Sequence, residues 1–272
     1  MSGIKPLRPK SRLTAGRNAP AAVPNASRRG CAMRQDERSR MMTTQQHLTQ
    51  FVCRTLFSRK GAISYIGHLD LMKVIERAVR RAELPILYTQ GYNPRPMMVF
   101  ALPLGVGINT TGDYVDVAMS VEVPAEEFLA RVRPELPDGL EFISAVNIDE
   151  PKNSIMSVVT CATYTLEVPG ITRALLKLFE MDEVKIEKKS KKKIVETDIR
   201  PLLIKPIPSG NEDRTEVMVY AGSTRNLRCD VLLNAICTHT GYDREAADNC
   251  IVTRTALYGG EYPDIVDIVN LV

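Results

Sequence analysis

The stretch FVCRTLFSRKGAISYIGHLDLMKVIERAVRRAELPILYT, residues 51–89, decides how the chain folds. Phe51 to Ser58 alternates and is rich in β-forming residues, so it reads as a strand, and a short run over Ala62–Tyr65 follows the Arg59-Lys60-Gly61 turn. A helix then runs from about His68 to Glu83. Met72, Ile75, Val79 and Ala82 recur along it at helical spacing, and Pro85 stops it. Downstream, strands are predicted near Ile86–Thr89, Met97–Leu102 and Tyr114–Ser120. Pro124, Glu126 and Glu127 open a second helix that closes before Pro134, and a strand near Leu140–Ile148 completes a β-α-β-β-α-β order.

The second half follows the same plan without any residue-level repeat. A strand at Thr160–Val168 leads to a helix at about Thr172–Met181, then a hairpin of Val184–Lys189 with Lys192–Thr197. A strand at Thr215–Tyr220 precedes a helix at Leu227–Thr238, and Ile251–Tyr258 is the last strand. The expected class is α+β, with two tandem ferredoxin-like (βαββαβ) domains over 49–150 and 151–272 behind a disordered basic tail over 1–48.

Composition sets the limits. With 272 residues, 44% hydrophobic and 25% charged, the chain is long enough for one large or two small cores. No apolar run approaches the roughly 20 residues of a membrane span, and the N-terminus lacks a secretory signal's apolar core, so a cytoplasmic protein with no membrane partner is expected. Its six cysteines show neither a C-x-x-C pair nor a Cys/His cluster at zinc spacing, so no metal site and no cofactor are predicted. The net charge of +4 is unevenly spread: residues 1–42 hold ten Lys or Arg against Asp36 and Glu37, which leaves the remainder acidic. That segment is rich in Pro, Ala, Ser and Asn, has no apolar periodicity and reads as an unfolded, solvated tail able to add salt-sensitive attraction to nucleic acid.

Two segments concentrate side chains that a core alone does not need. The first is His68-Leu69-Asp70-Leu71-Met72 at the helix start, and the second is the loop Gln90-Gly91-Tyr92-Asn93-Pro94-Arg95-Pro96, stiffened by Gly91 and its prolines. The candidate binding set is His68, Asp70, Gln90, Gly91, Tyr92, Asn93 and Arg95. His68 titrates near neutral pH and serves either as a core-edge residue or as a base or ligand contact; Asp70 lies on another helical face and suits capping the helix. Lys73, Arg77, Arg80 and Arg81 are spaced three to four apart and form a basic stripe, either solvated or facing phosphates. Lys191, Lys192 and Lys193 sit at a hairpin tip with the same two readings. Gly105-Val106-Gly107 lacks the remainder of a dinucleotide fingerprint and reads as a turn.

These residues resemble a known family. His68-Leu69-Asp70-Leu71-Met72, Gln90 to Pro96, Leu102-Pro103-Leu104-Gly105-Val106 and Thr197-Asp198-Ile199-Arg200-Pro201 are similar to segments of the radical-SAM-linked proteins, encoded beside or fused to radical-SAM proteins with a cobalamin-binding-type domain. The likeness covers roughly 51–260. Members often carry Ser before the His, His between the two prolines and Glu in a Gly-Glu-Tyr turn, where this chain has Gly67, Arg95 and Asp113; the Arg-Pro-acidic opening of the last helix is replaced by Arg228-Cys229-Asp230. A radical-SAM cluster needs cysteines at Cys-x3-Cys-x2-Cys spacing, which this chain lacks, so the resemblance implies that a partner performs any radical chemistry. The expectation is a non-catalytic adaptor, or RNA-binding partner, of a radical-SAM enzyme acting in RNA modification on tRNA or rRNA. The competing expectation is a metal-independent RNA-processing endonuclease with His68 as general base and Arg95 stabilising the transition-state charge.

Overall fold

A computed structural model describes residues 51–149, 153–190 and 193–270. The tail expected over 1–48 and the boundary expected at 150 and 151 lie outside the described residues. The first half holds β1 (Phe51–Arg59), α1 (His68–Arg81), β2 (Met98–Phe100), β3 (Asn109–Met119), α2 (Ala125–Val132) and β4 (Leu140–Asp149). The second begins with the one-turn α3 (Ile155–Val158), β5 (Val159–Glu167) and α4 (Ile171–Phe179), and continues through β6 (Lys185–Ser190), β7 (Lys193–Asp198), β8 (Leu203–Asn211) and β9 (Arg214–Tyr220). It ends with α5 (Cys229–Thr240), α6 (Arg244–Asp248), β10 (Ile251–Glu261) and β11 (Asp264–Asp267).

The fold is α+β, built on one large mixed sheet. Its strands run in the order β4-β1-β3-β10-β5-β9-β8, with β2 added to β3 and β11 to β10. Pairing within each half is antiparallel, and the halves join where β10 runs parallel to β3. This joint is short because β3 shares one edge between two partners: β2 takes Val115–Val117, and β10 takes only Asn109 and Thr110.

Packing follows strand alternation. Cys53 and Phe57 of β1 and Val115, Val117 and Met119 of β3 form one core with Leu71, Ile75 and Val79 of α1 and Phe128 and Val132 of α2. The α1 stripe read from the sequence is that inward face. A second core joins β5, β9, α4 and α5 and extends to Ala101 and Tyr114 of the first half. On the other face of β1 and β3, Arg54 and Asp116 pair at 2.9 Å, and Arg54 also donates to the Ile268 carbonyl at 3.2 Å, so the C-terminal segment covers them.

Several elements differ from the sequence reading for identifiable reasons. Ala62–Tyr65 is part of a tight 3-10 turn over Gly61–Tyr65, because Gly61 takes a left-handed φ of 72° and turns the chain out of line with β1. The first helix ends at Arg81, and left-handed Glu83 carries the chain to Pro85. Ile86–Thr89 makes only isolated bridges, Ile86 with Met119 and Tyr88 with Pro96. The expected 184–197 hairpin exists as β6–β7 but forms its own two-stranded sheet, and β8, unread in the sequence, takes the outer position beside β9. Pro206 and Pro208 disguise β8; prolines are tolerated there because, among the described residues, β9 is its one strand partner.

Thr197–Pro201 closes the base of that hairpin. Asp198 accepts from the Val184 and Arg200 amides, both at 2.9 Å, and these two donors hold its carboxyl below the usual range. Arg200 Nε in turn donates to the Met181 carbonyl beyond the end of α4.

Gly112 sets how close β3 comes to β10. A Cβ built there would lie 2.0 Å from the Thr255 carbonyl oxygen, a clash of backbone rather than of a side chain that can swing away. Gly112→Ala is therefore expected to destabilise the chain by about 1–3 kcal/mol, the usual cost of overpacking. Urea unfolding followed by circular dichroism measures this, and an unchanged midpoint would contradict so close a joint.

Candidate functional site

The start of α1 is capped by Gly67, which offers no side-chain acceptor. Asp70 lies in the first turn, where its charge suits the helix dipole, but its carboxylate pairs with Lys73 at 3.2 Å instead of capping the backbone as the sequence suggested. His68 is half-buried, with its ring edge-on to Phe100 and centroids 4.9 Å apart. Its Nδ1 is buried without a hydrogen-bond partner. Burial first, and then the Arg59 charge, lower its pKa below 6.5, so the imidazole is neutral at physiological pH.

The Gln90–Pro96 loop is tied at its neck and free at its tip. Thr89 N donates to the Arg95 carbonyl at 2.8 Å, and Arg95 N donates to Thr89 Oγ1 at 3.0 Å. Gln90, Gly91, Tyr92 and Asn93 beyond that neck, and Arg95 within it, are exposed, Tyr92 completely so. Gly91, at φ 138°, supplies the backbone freedom the turn needs. Both segments connect to β2, which the loop enters at Met98 and the His68 ring meets at Phe100. Among the described residues no hydrogen bond or ion pair joins His68 to Gln90, Asn93 or Arg95.

The basic stripe of α1 is exposed and unevenly occupied. Lys73 is paired with Asp70, and Arg81 binds both the side chain and the carbonyl of Glu135. Arg77 and Arg80 make no ion pair or hydrogen bond among the described residues. Lys191 and Lys192 lie outside the described residues, and Lys193 opens β7.

A different feature occupies the joint between the halves. Arg254 of β10 is buried and donates through Nε to Asp113 Oδ1 at 2.9 Å, with Nη2 at 2.6 Å from the same oxygen. It also donates to the Leu102 carbonyl at 2.6 Å and, weakly, to the Tyr164 hydroxyl at 3.5 Å. Arg59 of β1, also buried, donates to the carbonyls of Gly105 and Ile108 at 2.8 and 2.7 Å, while its Nε and Nη1 lack acceptors. Two guanidiniums thus share one buried carboxylate, which leaves net positive charge beneath the surface. Above it opens a cleft of about 1010 Å3, walled by Leu102–Asn109 on one side and by Asn226, the start of α5 and Asn249–Val252 on the other, with Tyr164 and Arg254 in its lining.

The sequence profile of one family, described as "Uncharacterized protein conserved in bacteria (DUF2344)", matches residues 53–229. The chain belongs to this family. No curated protein matches it. The DUF2344 match runs from β1 to the first residue of α5, and so takes in the tied loop, α1 and most of the cleft walls.

Sequence reasoning missed the cleft in this DUF2344 chain. Asp113 was read as a turn residue ahead of a strand at 114, whereas β3 starts at Asn109 and buries it. Leu102–Val106 was noted for the family resemblance and Gly105–Gly107 as a turn, yet the carbonyls of Leu102 and Gly105 bind the two arginines. The usable signal was Arg254, the one charge in the strand-like run Ile251–Leu257.

Removing Asp113 would leave two buried guanidiniums without a counter-ion. Asp113→Ala is expected to cost about 3–5 kcal/mol in urea unfolding, against less than about 0.5 kcal/mol for the exposed Asp70→Ala. For His68 the lowered pKa means that the unfolded chain binds the proton more readily. Its contribution is therefore intact above pH 6.5 and fades as pH falls through that value toward the lower folded pKa. With three histidines in the chain, NMR titration is expected to find one pKa displaced downward and missing in His68→Gln, and thermal melts to lose less stability between pH 7.5 and 5.5 in that variant. A normal His68 titration would contradict the buried imidazole.

Proposed function

We propose that the chain is a non-catalytic RNA-binding adaptor for a radical-SAM enzyme, acting in the cytoplasm on tRNA or rRNA. The observation that carries this reading is an exposed set of polar side chains without hydrogen-bond or ion-pair partners among the described residues: Arg77 and Arg80 on α1, Gln90 and Asn93 beyond the tied neck of the loop, and Arg95 at that neck. An arginine with no carboxylate to satisfy it is available to phosphate, and the fully exposed Tyr92 is suited to stacking on an unpaired base. The radical-SAM partner is supported by the resemblance at 68–72, 90–96, 102–106 and 197–201. Each half is taken as a ferredoxin-like unit, which the strand orders β4-β1-β3-β2 and β10-β5-β9-β8 support, with β6–β7 as an insertion in the second.

One observation favours the endonuclease reading: the lowered pKa keeps His68 neutral, as a general base must be. A base alone makes no active site, and the Arg95 that was to stabilise charge has no hydrogen bond to it.

Mobility-shift titration with total cellular RNA in EDTA separates these readings. Binding without cleavage is expected to weaken with salt, and the Arg77→Ala/Arg80→Ala double variant to flatten the log–log salt slope by about two. RNA that stays unshifted at low salt would end the RNA reading, whereas fragments that disappear with His68→Ala would favour the nuclease. Purification from the native host without a co-purifying radical-SAM protein would end the adaptor half.

A further inference from the structure

We infer that the cleft between the two halves is a mononucleotide-binding site, with the phosphate over its positively charged floor and the base against its aromatic and amide rim. This inference does not depend on the RNA reading, which uses α1 and the tied loop.

The floor supplies an attraction for anions from two independent sources. The first is Arg254, whose guanidinium lines the cleft; Arg59 lies buried outside the lining, where its charge offsets that of Asp113, whose Oδ2 has no hydrogen-bond partner. The Nη1 of Arg254 has only the long contact to the Tyr164 hydroxyl, and Tyr164 is also part of the lining. The second is the start of α5, a twelve-residue helix whose N-cap Arg228 provides no side-chain hydrogen bond to the first turn. Arg228 and Cys229 line the cleft, so the positive end of the helix dipole faces it. Asp230 also lies in that turn, but its carboxylate is held by Arg228 at 2.6 Å; Asp248 at the rim is held by Arg244 at 3.3 Å.

The rim indicates what the anion is attached to. Tyr65 is 72% exposed and borders the cleft next to Gly107, leaving a ring face free for stacking. Three amides have hydrogen-bonding capacity to spare. Asn226 makes no side-chain hydrogen bond among the described residues, Asn109 uses only its oxygen, for Ser64, and Asn249 uses only its nitrogen, for the Glu245 carbonyl. Aromatic faces and free amides are the groups that read the plane and edge of a nucleobase. At about 1010 Å3 the cleft stands at the upper end of the roughly 300–1,000 Å3 common for small-molecule sites, so it has room for a nucleotide.

Calorimetric titration of the full chain with AMP, GMP, CMP and UMP, alongside inorganic phosphate and the matching nucleosides, tests the inference. At least one mononucleotide is expected to bind at least tenfold more tightly than its nucleoside and than phosphate alone. Tyr65→Ala is expected to weaken it about tenfold, as loss of one base stack does, and Asn226→Ala to weaken it measurably. Both side chains are exposed, so the variants keep the fold, and a smaller nucleotide-induced rise in melting temperature provides a second readout. Tyr92→Ala and Arg77→Ala/Arg80→Ala should leave nucleotide binding unchanged, which separates this result from that of the RNA experiment. The inference fails if no mononucleotide binds at millimolar concentration, if phosphate alone binds as well, or if Tyr65→Ala and Asn226→Ala change nothing.

Discussion

Arg254 and Asp113 meet where the two halves have least else to hold them in register. The parallel pairing of β10 with β3 spans two residues, too little for backbone hydrogen bonds to specify alignment. A slip of one residue would turn Arg254 to the other face of the sheet and leave Asp113 buried without its counter-ion. Burying such a pair adds little net stability, because desolvation offsets most of the attraction; its effect is to make wrong alignments costly. The approach that Gly112 permits and the binding of Arg254 to the Leu102 carbonyl both depend on this alignment.

β2 links the two polar regions of the molecule. It receives the tied loop at Met98, meets His68 at Phe100 and leads through Ala101, whose amide binds the Tyr114 carbonyl, into the cleft wall at Leu102. Three residues of strand thus place a solvent-facing tip on one side and a walled opening on the other. Their surroundings differ accordingly: Tyr92 is fully exposed, whereas Tyr164 and Arg254 are buried.

The parts of the fold legible in the sequence were those governed by local pattern. Met72, Ile75 and Val79 on α1, the β-formers of β1 and Pro124 before α2 each carry their instruction within a few residues. β8 was not legible, because Pro206 and Pro208 oppose a strand locally and only its position at the sheet margin makes them acceptable. Leu102–Val106 was noticed as a segment, yet its contribution comes from backbone carbonyls, which no side-chain pattern reports. Asp113 and Arg254 lie 141 residues apart, so neither signals the other along the chain. The tied loop was read as a stiff polar tip from its glycine and prolines, and its neck hydrogen bonds between Thr89 and Arg95 agree with that.

The prolines of β8 have a consequence for how copies of the chain meet. Pro206 and Pro208 stand two residues apart and strip amide donors from one side of a strand whose other side is satisfied by β9. Growth of a continuous cross-molecule sheet needs two sticky margins, one for each neighbour, and this molecule has one of them blunted. Among the described strands, the outer side of β8 is therefore a poor template for a strand from a second copy.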